Sequence, residues 1–464
     1  MAQGETLQKN KHEINMTEGP ILKKMLLFSF PLMGSSILQL LFNAADIIVI
    51  GRFAGENSLA AVGSTSSLIN LLVNLFVGLA IGANVLTARY HGAKQEKDLS
   101  ETVHTTVALS LVCGTGLAII GVLVARPILV MMDTPDEVLP LATIYMQIYF
   151  LGMPAMMLYN FGSAVLRAKG DTARPLVYLT IAGVLNVALN LFFVIALKMN
   201  VEGVAAATSI SQCLSAFLIV KCLAGEKDAF RLERKKLRIN RKKLLMILQI
   251  GLPAGFQGVL FALSNVIIQA SINSYGSSVM AGSAASANLE NFTYFGMNAF
   301  YQAAISFTSQ NVGAGKWERV KPILLTSVSC AAITGLFLGN LTYFFGKPLL
   351  SIYATNPVVI QEGMRRLLYI CVPYFVCGIM DTMTGVLRGL GYSIMPMIVS
   401  LMGACVLRII WVKTFCQMPQ FHHVEYVYMS YIVTWTITAT AHIICYTVVM
   451  KKKRKQLELE QKMV

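Results

Sequence analysis

Charge is what this sequence has least of. Only 13% of its 464 residues are Asp, Glu, Lys or Arg, where roughly 25% is usual for a soluble domain, so an ordinary water-facing surface is excluded. Recognisable catalytic signatures are missing too. Nine cysteines include no Cys-x-x-Cys pair and read as small buried hydrophobes rather than disulfide or metal chemistry. Six histidines include no His-x-x-x-His, which leaves metal catalysis unsupported, and the adjacent His422 and His423 read as a solvated pair. No Gly-rich phosphate-cradling loop is present, so no ATP drive is visible. Residues 1–24 carry Glu5, Glu13 and Glu18 without an apolar run and read as a cytoplasmic tail, not a cleaved signal peptide.

What is abundant is apolar sequence: 55% of the chain is hydrophobic, with a mean hydropathy of +0.62. It is gathered into blocks long enough to cross a hydrocarbon layer of about 30 Å, which needs roughly 20 helical residues. The blocks of the first half are 25–50, 58–88, 100–124, 137–165, 174–197 and 202–223. Those of the second are 244–274, 279–311, 321–345, 362–387, 393–413 and 427–450. Each is continuously apolar, which favours helices over barrel strands, where polar residues would alternate.

The formal net charge of +15 would suggest nucleic acid in a soluble protein, but its placement argues for topology instead. Alternate loops, the tails and the central stretch Lys221–Lys243 hold about thirty Lys and Arg, Arg167 and Arg388 among them, against about five on the opposite loops. Those five are Arg52, Arg126, Lys198, Lys347 and Lys413. The bias predicts a multi-pass protein of the cell (inner or plasma) membrane with both termini cytoplasmic. It divides the chain into a tail (1–24), a first lobe (25–223), a basic linker (224–243), a second lobe (244–450) and a basic tail (451–464). Contact of Lys451–Lys455 with anionic lipid is a secondary expectation.

The two lobes are copies. Leu166-Arg167…Gly170 recurs as Leu387-Arg388…Gly391, and Gly92-Ala93 as Gly313-Ala314, 221 positions later. Pro31 and Asn43 recur as Pro253 and Asn265 with an offset of 222. A duplication of this length in an apolar chain is the mark of a transporter built from two halves. The expected fold is an all-α integral membrane protein of twelve transmembrane helices in two pseudo-symmetric six-helix lobes.

A carboxylate inside a bilayer costs several kcal/mol unless paired, protonated or wet, and only Asp46, Glu290 and Asp381 lie well inside apolar blocks. Asp46 shares a helical face with Asn43, and Asn186 with Asn190. Thr208 follows in the sixth block, with Ser209, Ser211 and Gln212. Asp46, Asn186, Asn190 and Thr208 form an oxygen-rich set suited to a hard cation such as Na⁺, and a lone desolvated carboxylate could equally take up H⁺. The same residues could simply hold helices together. Glu290, near Asn288 and Asn291, and Asp381, seven residues before Arg388, are secondary candidates. Pro31 and Pro253 suit helices that pivot. Arg408 reads as the only base deep in a span.

The pattern resembles the multidrug and toxic compound extrusion (MATE) transporters. The resemblance rests on Phe30-Pro31-Leu32, Asp46-Ile-Ile-Val-Ile-Gly51, Tyr90-His91-Gly92-Ala93 with Ser309–Gly315, and Leu166–Thr172, and covers about residues 20 to 450. It implies two six-helix lobes around a central V-shaped cavity, and exchange of a drug-like cation for Na⁺ or H⁺ by alternating access. The first-span Asp46 would work with Asn186, Asn190 and Thr208. Position 190 is Asn where some DinF-type relatives have a second Asp, and Gln257 stands where NorM-type relatives have Glu. The chain looks closer to the DinF-type branch, and the coupling ion stays open between Na⁺ and H⁺. The expected protein is thus not an enzyme but a secondary active multidrug exporter. It needs no cofactor beyond the coupling ion, takes cationic or amphipathic small molecules, sits in the lipid bilayer, has no nucleic-acid partner and functions as a monomer. The alternatives are a flippase for lipid-linked oligosaccharides, which would want cations in its cavity, and a non-transporting membrane scaffold.

Overall fold

Backbone amides have no water to bond in hydrocarbon, so the chain satisfies them within helices. The structure, a computed structural model, describes residues 13–463, and among these it contains helices and turns but no strand. Residues 1–12, with Glu5 of the expected tail, lie outside the described part. The first long helices are α1 (Ile21–Phe53), α2 (Glu56–Gly92) and α3 (Glu96–Met131), followed by the pair α4 (Leu139–Leu151) and α5 (Met153–Lys169). Next come α6 (Ala173–Leu191), extended by a π-helical turn to Ala196, and α7 (Val201–Gly225). The second half begins with α8 (Arg241–Asn273), α9 (Ser277–Gly313), α10 (Val320–Phe344) and the short α11 (Gly346–Ser351). It ends with α12 (Pro357–Arg366), α13 (Phe375–Gly389), α14 (Ile394–Ser400), α15 (Leu407–Lys413) and α16 (Val424–Met463). α12 runs into α13, and α14 into α15, through π-helical and 3₁₀ turns.

The outer faces of these helices remain apolar. Leu123, Ile333, Phe337 and Phe344 are each more than 60% exposed, as expected where lipid rather than water is the solvent. Two compact units emerge. The first comprises the chain up to Asn70, Ala83–Ile247 and Gly313–Lys316; the second comprises Leu71–Gly82, Leu248–Val312 and the chain from Trp317 on. In the first, Val103, Val107, Tyr159, Val165, Leu179, Ile219 and Phe230 share one core. In the second, the core includes Ile268, Ile370, Tyr428 and Trp435, with Tyr374 stacked on Trp435 at 5.3 Å between centroids.

Ten of the described helical segments are long and apolar enough to cross a membrane by themselves, and α4 with α5, bent by 45°, forms an eleventh. The expected twelfth, α9, is 37 residues long but too polar to qualify by composition. Helix direction decides both doubtful cases. α1 and α6 run parallel: Leu176 reaches toward Gly34, and Phe42 covers Gly183. Three crossings must therefore separate them, so α4 and α5 together cross once. α8 and the α14–α15 segment are parallel as well, since Ser393 Oγ donates to Ile250 O at 2.6 Å near their starts and Tyr275 stacks on His422 beyond their ends. That relation requires α9 to cross in spite of its polarity.

The repeated motif has a direct conformational reason. Gly170 and Gly391 adopt φ of +107° and +97°, which only glycine enters without strain. Each closes the end of a helix. The Asp171 amide returns to Leu166 O at 2.9 Å, and the Tyr392 amide to Leu387 O at 3.0 Å, the six-to-one bond of a Schellman cap. Pro31 and Pro253, the expected hinge positions, lie inside α1 and α8, which continue across them. The clear break is at Gly152, just before Pro154, and the repeat brings it into register with the 3₁₀ turn at Val372–Tyr374.

The expected linker is anchored to α3 rather than loose: the Glu233 amide donates to His104 Nε2 at 3.0 Å, and the Asn240 amide to Thr105 Oγ1 at 3.1 Å. The described end of the tail is also held. Ile14 N donates to Gly170 O, and Glu13 lies 3.8 Å from Lys169, its carboxyl pushed up chiefly by burial. In a cysteine-free background, Ser274→Cys and Glu318→Cys should be labelled by an impermeant maleimide from opposite sides of the membrane. Labelling of both from one side would mean that α9 does not cross.

Candidate functional site

Asp46 stands one helical turn beyond Phe42 on α1, while α6 presents Gly183, Asn186 and Asn190 along one stripe. A methyl group on Gly183 would lie 1.8 Å from Phe42 Cε2, so the missing side chain is what lets the Phe42 ring seat and α1 approach α6. One turn further along, Asn190 Nδ2 donates a short hydrogen bond to Asp46 Oδ1. Thr208 Oγ1 on α7 donates to Asp46 Oδ2 at 3.4 Å. Asn186 Nδ2 donates to Thr208 Oγ1 at 3.3 Å, and Asn190 Nδ2 also donates to Asn186 Oδ1 at 3.3 Å. All four residues of the expected set therefore meet in one hydrogen-bonded cluster. Asn190 is fully buried, and its Oδ1 has no hydrogen-bond partner among the described residues. Tyr145 and Tyr149 on α4 lie within electrostatic reach of Asp46.

Asn43 does not join the cluster. It is exposed, because three residues of helix turn it about 60° away from Asp46, off the side that faces α6.

The second unit differs from expectation in its charges. Glu290 on α9 is locked in a two-pronged ion pair: Arg366 Nε donates to Oε1 at 2.8 Å and Nη2 to Oε2 at 3.0 Å. The third guanidinium nitrogen, Nη1, donates to Ser283 Oγ at 2.6 Å. Arg388, expected in a cytoplasmic loop, is instead buried in α13. Its Nη2 donates to Gln257 Oε1 at 2.9 Å, and Nη1 makes a short bond to Tyr301 OH. Gln257 thus serves an arginine here. Asp381 has no ion pair among the described residues but lies within reach of Arg388. Arg408 is held by Thr434 and lies 4.0 Å from the centroid of Tyr431.

Arg408 is therefore not the only base deep in a span. Arg366, within the apolar block 362–387, and Arg388, read as a loop charge, are buried as well. The Glu290–Arg366 pair was missed in sequence, although two opposite charges inside apolar blocks of one half were the available signal.

The family model MatE matches residues 31–192 and 253–412, two copies that reproduce the internal repeat. The chain belongs to the MatE family. Among related MatE-type proteins, it is 27% identical over 388 residues to the probable multidrug resistance protein YoeA of Bacillus subtilis (strain 168), covering 82% of this chain and 84% of that protein. It is 26% identical over 362 residues to a protein of Shewanella oneidensis named FAD transporter, covering 76% and 78%. Among solved structures, an outward-facing conformation of a multidrug resistance MATE family transporter of the MOP superfamily superposes with a TM-score of 0.90. That match has 19% identity and covers 97% of this chain and 100% of the other. It establishes the shared fold.

Two measurements test this geometry. Gly183→Ala should lower the melting temperature in detergent, by overpacking worth about 1–3 kcal/mol, and Phe42→Leu in that background should restore it; no effect of Gly183→Ala would refute the close approach. Glu290→Gln should destabilise by about 3–5 kcal/mol because Arg366 is left buried and unpaired. Adding Arg366→Met should recover most of that loss, and equal stability of Glu290→Gln and wild type would exclude the pair.

Proposed function

We propose that this MatE protein is a secondary active exporter of cationic, amphipathic small molecules, driven by inward movement of Na⁺ or H⁺ through Asp46. One observation carries the reading. Of the three carboxylates inside the spans, Glu290 is neutralised by Arg366 and Asp381 lies near Arg388, whereas among the described residues the hydrogen bonds of Asp46 come from the neutral groups of Asn190 and Thr208. A carboxylate held by amide and hydroxyl groups keeps its appetite for a cation, and one locked to arginine does not.

The neighbouring oxygens fit either ion. Asn186 Oδ1 and Thr208 Oγ1 belong to the same cluster, and Asn190 Oδ1 is a buried acceptor with no donor among the described residues. Together with the carboxylate they would supply much of the shell that Na⁺ prefers, while protonation of Asp46 would let its hydroxyl donate. Either event changes the bonding between α1 and α6. It drives transport only by favouring one conformation over another, with Pro31 as the point about which α1 bends. The name of the Bacillus relative supports drug-like cargo, and the basic loops support cytoplasmic termini.

The test is ethidium efflux from proteoliposomes under an imposed Na⁺ gradient or, separately, a pH gradient. One gradient should drive the wild type. Asp46→Asn should lose at least about 100-fold in rate, as expected when a group acting only in coupling is removed, with its melting temperature little changed. Normal pumping by Asp46→Asn would overturn the assignment. Wild-type efflux under neither gradient would overturn the exporter reading.

A further inference from the structure

The linker between the halves forms a cavity of ≈ 390 Å³ with the start of α3, lined by Lys97, Ser100, Glu101 and His104 from α3 and by Lys235, Lys236, Arg238 and Asn240 from the linker. Four cations and one carboxylate share this wall. Like charges gathered from two segments repel, so something must hold them together. The linker is pinned on both sides of the basic run. Glu233 N donates to His104 Nε2 at 3.0 Å, Asn240 N to Thr105 Oγ1 at 3.1 Å, and Asn240 Nδ2 to Glu101 Oε2 at 2.8 Å.

The acids nearby are already engaged: Glu101 by Asn240, and Glu233 by Lys236 at 2.8 Å. Lys97, Lys235 and Arg238 have no ion-pair partner among the described residues, and all three are exposed. The site is thus a preformed, anion-seeking cup. Its position narrows the ligand. Lys97 stands at the first turn of α3, and by Val107 the helix is in its apolar run, so the cup lies where that helix enters the membrane. Leu237 and Ile239, on either side of Arg238, are 38% and 41% exposed. Apolar side chains interleaved with cations at that depth suit a lipid surface.

We propose that this cup binds the phosphate headgroup of an acidic phospholipid, with Arg238 gripping two phosphate oxygens and Lys97 and Lys235 neutralising the remaining charge. A guanidinium fork matches phosphate geometry, and basic pockets at the membrane face recognise lipid headgroups. The site is separate from the basic tail at Lys451–Lys455 and does not depend on which substrate is exported.

The experiment is native mass spectrometry of the full chain with dioleoylphosphatidylglycerol or dioleoylphosphatidylcholine, with glycerol 3-phosphate as a soluble competitor. The comparison is between Lys97→Gln/Lys235→Gln/Arg238→Gln and a variant with the same charge removed from the tail, Lys451→Gln/Lys452→Gln/Lys455→Gln. Wild type should retain phosphatidylglycerol in preference to phosphatidylcholine. The pocket variant should lose about 10- to 100-fold in affinity, at near a factor of several per cation, and the tail variant less than about 3-fold. Equal loss in both variants would overturn the pocket in favour of diffuse charge, as would equal retention of both lipids. Binding of glycerol 3-phosphate without preference for phosphatidylglycerol would overturn the lipid assignment. A pocket variant that elutes as the wild-type monodisperse peak excludes misfolding as the cause of lost binding.

Discussion

Moving a carboxylate from water into a low-dielectric layer costs several kcal/mol, and its surroundings decide whether that cost is met permanently or left to a mobile ion. In this MatE protein the surroundings of Glu290 and of Asp46 differ in kind. Glu290 is answered by a fixed cation, Arg366, in a two-pronged buried pair. Asp46 is answered by Asn190 and Thr208, which can stabilise a negative charge but cannot cancel it. The first arrangement ties α9 to α12 through a charge pair; the second leaves the carboxylate among neutral partners. Helix packing around Phe42 and Gly183 brings the carboxylate of α1 to the amides of α6.

The duplication adds a further layer. Both halves end a helix with the same glycine cap, at Gly170 and Gly391, because the turn into the next helix needs a backbone conformation that a Cβ would oppose. Their interiors have diverged. The repeat pairs position 46 with Ile268, so the neutral-partnered carboxylate belongs to one half alone. The second half instead buries three arginines. The duplicated backbones thus carry unlike interiors, which the symmetry of the fold alone would not require.

Polarity within a span carries meaning as well. α9, expected from the block 279–311, is the crossing whose mean hydropathy falls short, because it is dense in Ser, Asn and Thr along with Glu290. Its buried Ser283 and Ser286 bond to Arg366 and to the Gly363 carbonyl, so these polar groups are spent on neighbouring helices and not on lipid. A helix can be this polar in a bilayer when its partners are protein.

The sequence by itself determined the helical class, the duplication and the small set Asp46, Asn186, Asn190 and Thr208. These follow from local quantities: apolar run length, residue spacing, and the rarity of charge in hydrocarbon. Helical periodicity could also align Asn43 with Asp46, but could not tell which edge of that face meets α6. Only tertiary structure decided that Asn43 stands outside, that Gln257 serves Arg388, that Glu290 meets Arg366, and that the linker clamps onto α3. Each of these joins residues more than 70 positions apart, or depends on which side of a helix finds a neighbour. The reason is physical: spacing along a helix sets where a side chain points, but only packing sets what it points at.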